Sequence, residues 1–388
     1  MKRVRAVLPF LLFIVLMSTV TAGCWDRREL EERTSVVAMS IDRVDEKEQS
    51  LVKISVQIPI PIKIVGSGGG GGEGGKSAVK VMSATGYSMA DAMRNLQQRL
   101  NQQLFYGHTR VVAISEAVAR EDLSAIVDSL RRSPQMRRLL WMVITPQEAV
   151  KLLEADPKLE QIPIVYVMDL MENGSKSGIV PDITLGRWFI DRSSSGSDAM
   201  ANYIQSTPRE VKWHGLALFN DDKMVGHLEE DLSWVLMQVK NKQIGGDVTI
   251  SCPQNASRVD GIGAYLTAHP KKVHVKTTVA PYQNTFKMTV DVMVEDDIVE
   301  SMCNADFSKE ESYRLVEKAL AAEMNSRAQK MIEKVQGEYG VDVFGMGNKV
   351  RANYMKQFEQ LDWKKEFPKT KIEVRYTVEV RRVGMKMQ

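Results

Sequence analysis

From residue 33 onward, short runs of β-branched residues alternate with segments whose apolar positions recur every three or four residues. RTSVVAMSIDRV and SLVKISVQIPIPIKIV read as two strands, and AVKVMSATG as a third, joined to the second by the run GSGGGGGEGGKS. MADAMRNLQQRLNQQLF then sets Met89, Ala92, Met93, Leu96, Leu100 and Leu104 on one helical face, with Ser88 as its start signal and Asp91 three residues on. A strand over 109–114 follows, then a helix capped by Ser115 and a second one around EDLSAIVDSLRR. RRLLWMVITP returns to strand, and QEAVKLLEA forms a helix opening at Thr145-Pro146 with proline in the tolerated first position.

The run DRSSSGSDAM, residues 191–200, has the composition of a linker. Beyond it WHGLALFN, a turn at Asp221-Asp222 and KMVGHL make a hairpin, EEDLSWVLMQVKN a helix with acids in its first turn, and DVTISC a closing strand. In the last third, KKVHVKTTV and TFKMTVDVMVED are strands, followed by a long helix. Ser308 and Glu311 have capping-box spacing, and Leu315, Val316, Ala319, Leu320, Met324, Met331, Ile332 and Val335 line one helical face. NKVRANYMKQFEQ predicts a further helix, and KIEVRYTVEVRR alternates apolar with charged residues, so that strand buries one face and wets the other. The expectation is an α+β protein of mixed sheets with packed helices, whose C-terminal antiparallel sheet lies under a long amphipathic helix. The divisions fall at 24–190 for an N-terminal α/β domain, 191–262 for a linker and small middle domain, and 263–388 for the C-terminal domain.

The amino terminus follows different rules. Lys2, Arg3 and Arg5 precede an apolar run over 7–17 and the small residues of STVTAGC, the layout of a secretory signal spanning 1–23. The run is too short to cross a bilayer, which takes about 20 apolar residues. Thr21-Ala22-Gly23-Cys24 resembles the lipobox of bacterial lipoproteins, with Thr21 where leucine is usual. In such lipoproteins the cysteine sulfur takes a diacylglyceryl group before the peptide is cut in front of it, here at Cys24, whereas ordinary cleavage after Ala22 leaves a free thiol. Trp25 beside the anchor suits the headgroup layer. Loss of the three basic residues takes the formal charge of +3 to zero, so no basic surplus remains to argue for nucleic acid, and none to hold the mature chain electrostatically to anionic lipid. An exported chain permits a bridge between Cys252 and Cys303, but a chain of 388 residues buries its own core without staples, so two unpaired thiols are the expectation.

No catalytic set assembles from the sequence. GGGEGGKS, residues 70–77, fits the phosphate-loop pattern, yet the residues after it favour a strand, leaving no helix dipole to hold a phosphate; a hairpin loop is expected and a nucleotide is not. The five histidines, His108, His214, His227, His269 and His274, lack metal-ligand spacing, and His274, alternating with Val273 and Val275, is expected in a surface-facing or satisfied position rather than as a ligand. Glu295-Asp296-Asp297 reads as a solvated turn at a strand end, and the G-x-G of Phe344-Gly345-Met346-Gly347 has no strand before it. The 22 methionines fall on apolar helical faces and read as core filling. No metal, cofactor or enzymatic activity is expected.

Several separated stretches nevertheless belong together. GCWDRRELEE, LFYGHTRVVAISEAVAR, GLALFNDDKMVGHL, and DVFGMGNKVR followed by W-x-x-x-F-P and an alternating terminal strand resemble, in order, the Ger(x)C family, the C-subunit lipoproteins of bacterial spore germinant receptors. The departures are Thr21 and the long glycine insert. The resemblance implies a three-domain α+β body, lipidated at Cys24 and held at the outer face of the spore inner membrane. It further implies assembly with integral-membrane A and B subunits in a receptor for small nutrients, with no catalysis by this chain. Tyr106, Gly107, His108 and Arg110 match the family motif position by position, with folding and contact roles both open. A solute-binding lipoprotein, which captures a nutrient itself between two similar lobes, is the rival expectation.

Overall fold

The structure, a computed structural model, describes residues 33–46, 49–60, 78–241, 243–253, 264–303 and 309–383. Cys24, the glycine run 70–77 and Ser308 of the expected capping box lie outside the described residues.

The strands of the first half are β1 Arg33–Ser35, β2 Ala38–Glu46, β3 Gln49–Pro59, β4 Val79–Gly86, β5 Gln103–Phe105, β6 Val111–Ser115, β7 Trp141–Thr145, β8 Met200–Ser206, β9 Val211–Asn220 and β10 Lys223–Leu228. β1 and β5 form a short parallel pair, and the other eight make one sheet in the order β10-β9-β8-β7-β6-β2-β3-β4. Its centre, β2-β6-β7-β8, is parallel, with an antiparallel extension at each side. Parallel neighbours need crossovers, and helices supply them. The helices are α1 Met89–Gln97, α2 Glu116–Ala119, α3 Ser124–Arg132, α4 Val150–Glu154, α5 Pro163–Ser177, α6 Leu185–Arg192 and α7 Glu230–Asn241. Successive residues of β6 and β7 point into two cores. Val112, Ile114, Met142 and Ile144 join Met89, Leu96, Leu130 and Trp188 from α1, α3 and α6. Val111, Ala113, Trp141 and Val143 join Leu152, Ile164, Val167 and Leu236 from α4, α5 and α7.

The second sheet contains β11 Val248–Ser251, β12 Tyr265–Tyr282, β13 Thr285–Ser301 and β14 Lys371–Val383, in that order. Between β13 and β14 run α8 Glu310–Ile332, a wider helical turn over Glu333–Glu338, α9 Met346–Asn353, α10 Met355–Phe358 and α11 Trp363–Glu366. α8 presents Val316, Leu320, Met324, Ala328 and Met331 to the sheet, and Leu236 and Val239 of α7 share the same core, so α7 bridges the two sheets.

Several expectations are corrected. The sheet expected to be antiparallel is mixed, because β14 runs parallel to β13: the helical crossover returns the chain to the end where β13 began. The sheet does not break near residue 190; β8, β9 and β10, assigned above to a middle domain, extend the sheet of the first domain. The linker-like 191–200 is no free tether, since Gly196, Ser197, Asp198, Ala199 and Met200 are buried. Glu295-Asp296-Asp297 is not a turn but lies inside β13, at a register shift, with Asp296 only 3% exposed. The expected helix over 348–360 is split at Tyr354, whose φ of −138° ends α9. Leu315 falls off the α8 stripe and is exposed. Cys252 and Cys303 are bridged, with Cα atoms 5.5 Å apart, because they follow β11 and β13, which flank one strand.

Local signals explain other starts. Ser88 Oγ accepts the Asp91 N–H at 3.2 Å while Asp91 accepts the Tyr87 N–H at 3.0 Å, as the spacing predicted. α4 begins at Val150, later than its proline suggested, because the buried carboxylate of Asp42 accepts the N–H groups of Ala149 (2.6 Å) and Val150 (3.0 Å). Burial raises the Asp42 pKa, and those two bonds oppose the shift.

Candidate functional site: a buried joint between the sheets

The serine-rich run after α6 and the G-x-G that opens α9 are far apart in sequence, Gly196 and Gly347 by 151 positions, and back to back in space. Gly196 and Gly347 make this possible: a Cβ on Gly196 would lie 2.5 Å from Asn348 N, and one on Gly347 2.4 Å from Trp363 Nε1 and 2.7 Å from Gly196 Cα. Asn348 then stitches the two segments. Its N–H donates to Gly196 O at 3.0 Å, its Nδ2 to Ser197 Oγ at 3.1 Å, and its Oδ1 accepts from Ser194 Oγ at 2.9 Å. Gly345, at φ 73°, turns the chain into α9 in a conformation that favours glycine.

Two carboxylates organise the joint. Asp198 and Asp342 exchange bonds in both directions: the Asp198 N–H donates to Asp342 O at 2.9 Å, and the Asp342 N–H donates to Asp198 Oδ2 at 2.7 Å. The Asp342 side chain, 1% exposed, accepts from Met346 N at 3.0 Å, Gly347 N at 2.7 Å and Trp363 Nε1 at 2.9 Å. It is therefore the capping acceptor of α9 and the anchor of α11 at once. Desolvation raises its pKa, opposed by these three donors. The Asp198 carboxyl is pushed up to about 6 by burial, against the Asp342 backbone donor and Lys364.

Charged side chains surround this centre. Lys364 reaches Asp221 Oδ1 at 2.6 Å and Asn220 Oδ1 at 3.0 Å, tying α11 to the β9–β10 turn. Arg192 Nε donates to Asp222 Oδ1 at 2.9 Å. Lys240, at the end of α7, is 8% exposed; its Nζ lies 3.8 Å from Asp191 Oδ2 and makes no hydrogen bond among the described residues. Burial lowers the Lys240 pKa, and Asp191 opposes that shift. Around Asp198 and Asp342 the joint is filled, with donors and acceptors spent on one another; the Lys240 ammonium is the exception. Such an arrangement holds the two segments, and with them the two sheets, in one mutual position.

The motif residues of the first half lie elsewhere. Tyr106, Gly107 and His108 form a single 3₁₀ turn between β5 and β6. Tyr106 is buried, its N–H donates to Gln135 Oε1 at 3.0 Å, and burial raises its phenol pKa to about 12. A Cβ on Gly107 would meet the Phe105 ring at 2.4 Å. His108 is exposed, edge-on to Phe105 at 5.2 Å, and Arg110 is exposed with its guanidinium 5.5 Å from the Trp141 ring. Between them, buried Thr109 donates its hydroxyl to Val36 O at 3.2 Å. Tyr106 and Gly107 are thus packed inside the turn, while His108 and Arg110 lie at the surface. His274 is at the surface as expected. Among the described residues no cluster of three His, Cys, Asp or Glu side chains is placed to hold a metal ion. None of the described helices is long and apolar enough to cross a membrane.

Sequence reading missed Asp198, Asp342 and Trp363 as one cluster. Their segments were visible as a serine-rich run, a weak G-x-G and a W-x-x-x-F-P string, but nothing local in the chain reports that the first docks on the other two.

Comparison with known proteins places these motifs in one family. The model for the spore germination protein N-terminal domain matches residues 26–206, and that for the spore germination B3/GerAC-like C-terminal region matches residues 214–384. The chain belongs to this Ger(x)C family of spore germination proteins. It is 25% identical to spore germination protein KC of Bacillus subtilis (strain 168), over 99% of this chain and 97% of that one. Spore germination protein YndF of the same strain is 24% identical, with 98% and 97% covered. The crystal structure of the GerBC protein has the same fold, with a TM-score of 0.56 at 14% identity, covering 92% of this chain and 99% of that one.

Proposed function

We propose that this chain is the lipid-anchored C subunit of a nutrient germinant receptor, a non-enzymatic part that assembles with integral-membrane A and B subunits and takes part in spore germination. Membership of the family along both halves of the chain carries the reading, since the relatives matched over nearly their whole length are spore germination proteins. The lipobox ending at Cys24 supports attachment to the outer face of the spore inner membrane. The rigid joint suits a coupling subunit, which transmits load between partners best when its own parts do not slide. The rival solute binder requires two like lobes around a cleft, and the two sheets differ in strand number and topology.

The test is purification from spore membranes after cross-linking. Recovery of the chain with two polytopic proteins, and a diacylglyceryl mass on a peptide beginning at Cys24, is the expected result. A chain that leaves the membrane in plain buffer with an unmodified Cys24, and that cross-links to no membrane protein, overturns it.

A further inference from the structure

The parallel strands β2, β6 and β7 start at one end of the eight-stranded sheet, and the described chain enters there at Arg33. Arg110 directly precedes β6, and its carbonyl accepts the Trp141 N–H at 2.8 Å, so the loop before β7 lies beside it. The bond from Tyr106 N to Gln135 Oε1 ties that loop to the 3₁₀ turn, and Arg33 stacks 5.0 Å from the Phe105 ring in the same neighbourhood. This end therefore gathers Arg33, Arg110, Arg137 and Arg138. None of the four pairs with a carboxylate in the ion pairs among the described residues, although exposed basic side chains elsewhere in the molecule commonly do. Two carboxylates near these arginines are already engaged: Asp182 accepts the Trp141 indole N–H at 2.9 Å, and Glu172 pairs with Lys176 at 2.9 Å. Next to Arg138 in the chain, Leu139 is 76% exposed, an apolar side chain standing in solvent.

We infer that this end of the sheet is a docking face for an anionic lipid bilayer, with the arginines at the phosphate layer and Leu139 inserted among the headgroups. The occupant follows from where the chain enters. Eight residues lie between Cys24 and Arg33, a span of at most about 30 Å, so an acyl anchor at Cys24 holds this face within reach of the surface it would touch. Arginines without a carboxylate partner among the described residues, on the same end as an exposed leucine, match that surface in charge and polarity. Because the mature chain has no net charge, attraction to lipid has to be local, and its orientation is then fixed by this patch. The inference draws on the proposed anchor for its geometry, but the face itself is tested without it.

The experiment uses the whole mature chain with Cys24→Ser, floated with vesicles of phosphatidylcholine alone or with a third of phosphatidylglycerol. Flotation with the anionic vesicles only, falling steeply as salt rises, is expected. Arg137→Gln with Arg138→Gln should weaken partition about 25-fold, at roughly fivefold per charge removed. Arg314→Gln, on the exposed side of α8, should change nothing. An unchanged thermal melt of each variant shows that the fold is intact. No flotation with anionic vesicles, equal flotation with neutral ones, or equal loss in Arg314→Gln overturns the inference. Since no acyl group is present, these outcomes are independent of whether Cys24 is lipidated in spores.

Discussion

The eight-stranded sheet is covered by helices on both faces, whereas the four-stranded sheet is covered on one face and meets water with the other. In β6 and β7 every residue is buried, and in β13 burial alternates. The outward side of β13 and β14 is a lattice of charges, with Lys287 to Glu373 at 2.8 Å, Arg375 to Glu373 at 3.0 Å and Arg381 to Glu295 at 3.8 Å. The first sheet draws stability from two cores, and the second from one core plus a staple between Cys252 and Cys303. The core shared through α7 and the joint around Asp342 together make them a single body. If that is right, variants at the joint should separate the sheets, variants in the second sheet should weaken it alone, and variants on its wet face should do almost nothing.

The largest effect is expected from Asp342→Ala, which orphans two backbone N–H groups and the Trp363 indole in a dry site. A loss of about 3–5 kcal/mol is expected in urea unfolding. The single transition should split, with the four-stranded sheet melting first. A loss under 1 kcal/mol, or one transition for the whole chain, would break the comparison. Reduction of the disulfide, or Cys252→Ser with Cys303→Ser, comes next. Closing a loop between residues 51 apart contributes about 3–4 kcal/mol in the chain-entropy picture. The loss should appear in the second sheet only, read by hydrogen exchange in β11 to β13 against β6 and β7.

How far each sheet could be read from the chain follows from the same difference. A one-sided sheet writes its exposure into the sequence, so KIEVRYTVEVRR and TFKMTVDVMVED declare both their strands and their buried faces. What they do not declare is direction: parallel and antiparallel neighbours bury the same alternate positions, and the parallel β14 was misread for that reason. A two-sided sheet gives short apolar runs that mark strands but not their order, so β8 to β10 could not be seen to extend the sheet of β2 and β6. The joint was the least legible part. Serine and glycine runs read as solvent-exposed loops, and they were small here because two backbones touch at Gly196 and Gly347. Likewise Asp296 sat in an acidic triplet that reads as a turn, and only the sheet shows that its pleat faces inward.

That inward carboxylate sharpens the comparison through pH. Burial pushes Asp296 up to about 7, with His269 opposing the shift and Asp297 adding to it. Since the folded pKa exceeds the unfolded value, the folded state binds the proton more tightly. Its contribution is fully present below about pH 4 and is lost as pH rises towards 7. Asp296→Asn should therefore match the parent chain near pH 4 and exceed it by on the order of 2 kcal/mol at pH 8. Thermal melts across that window decide it, and a parent chain at least as stable as Asp296→Asn at pH 8 would reverse the sign.

The smallest effect belongs to the wet face of the same strand pair. Arg381, partly exposed, lies 3.8 Å from Glu295 and 3.9 Å from Asp297, and at these distances holding a long side chain in place gains little over letting it move in water. Arg381→Ala should cost at most about 0.5 kcal/mol, and less in high salt. Val292, on the opposite pleat of β13 and 1% exposed, is the control: Val292→Ala removes two buried methyl groups and should cost about 2 kcal/mol at any salt concentration. Equal losses from the two would mean that the charge lattice is itself covered, by a partner or by a membrane, and that the second sheet is two-sided after all.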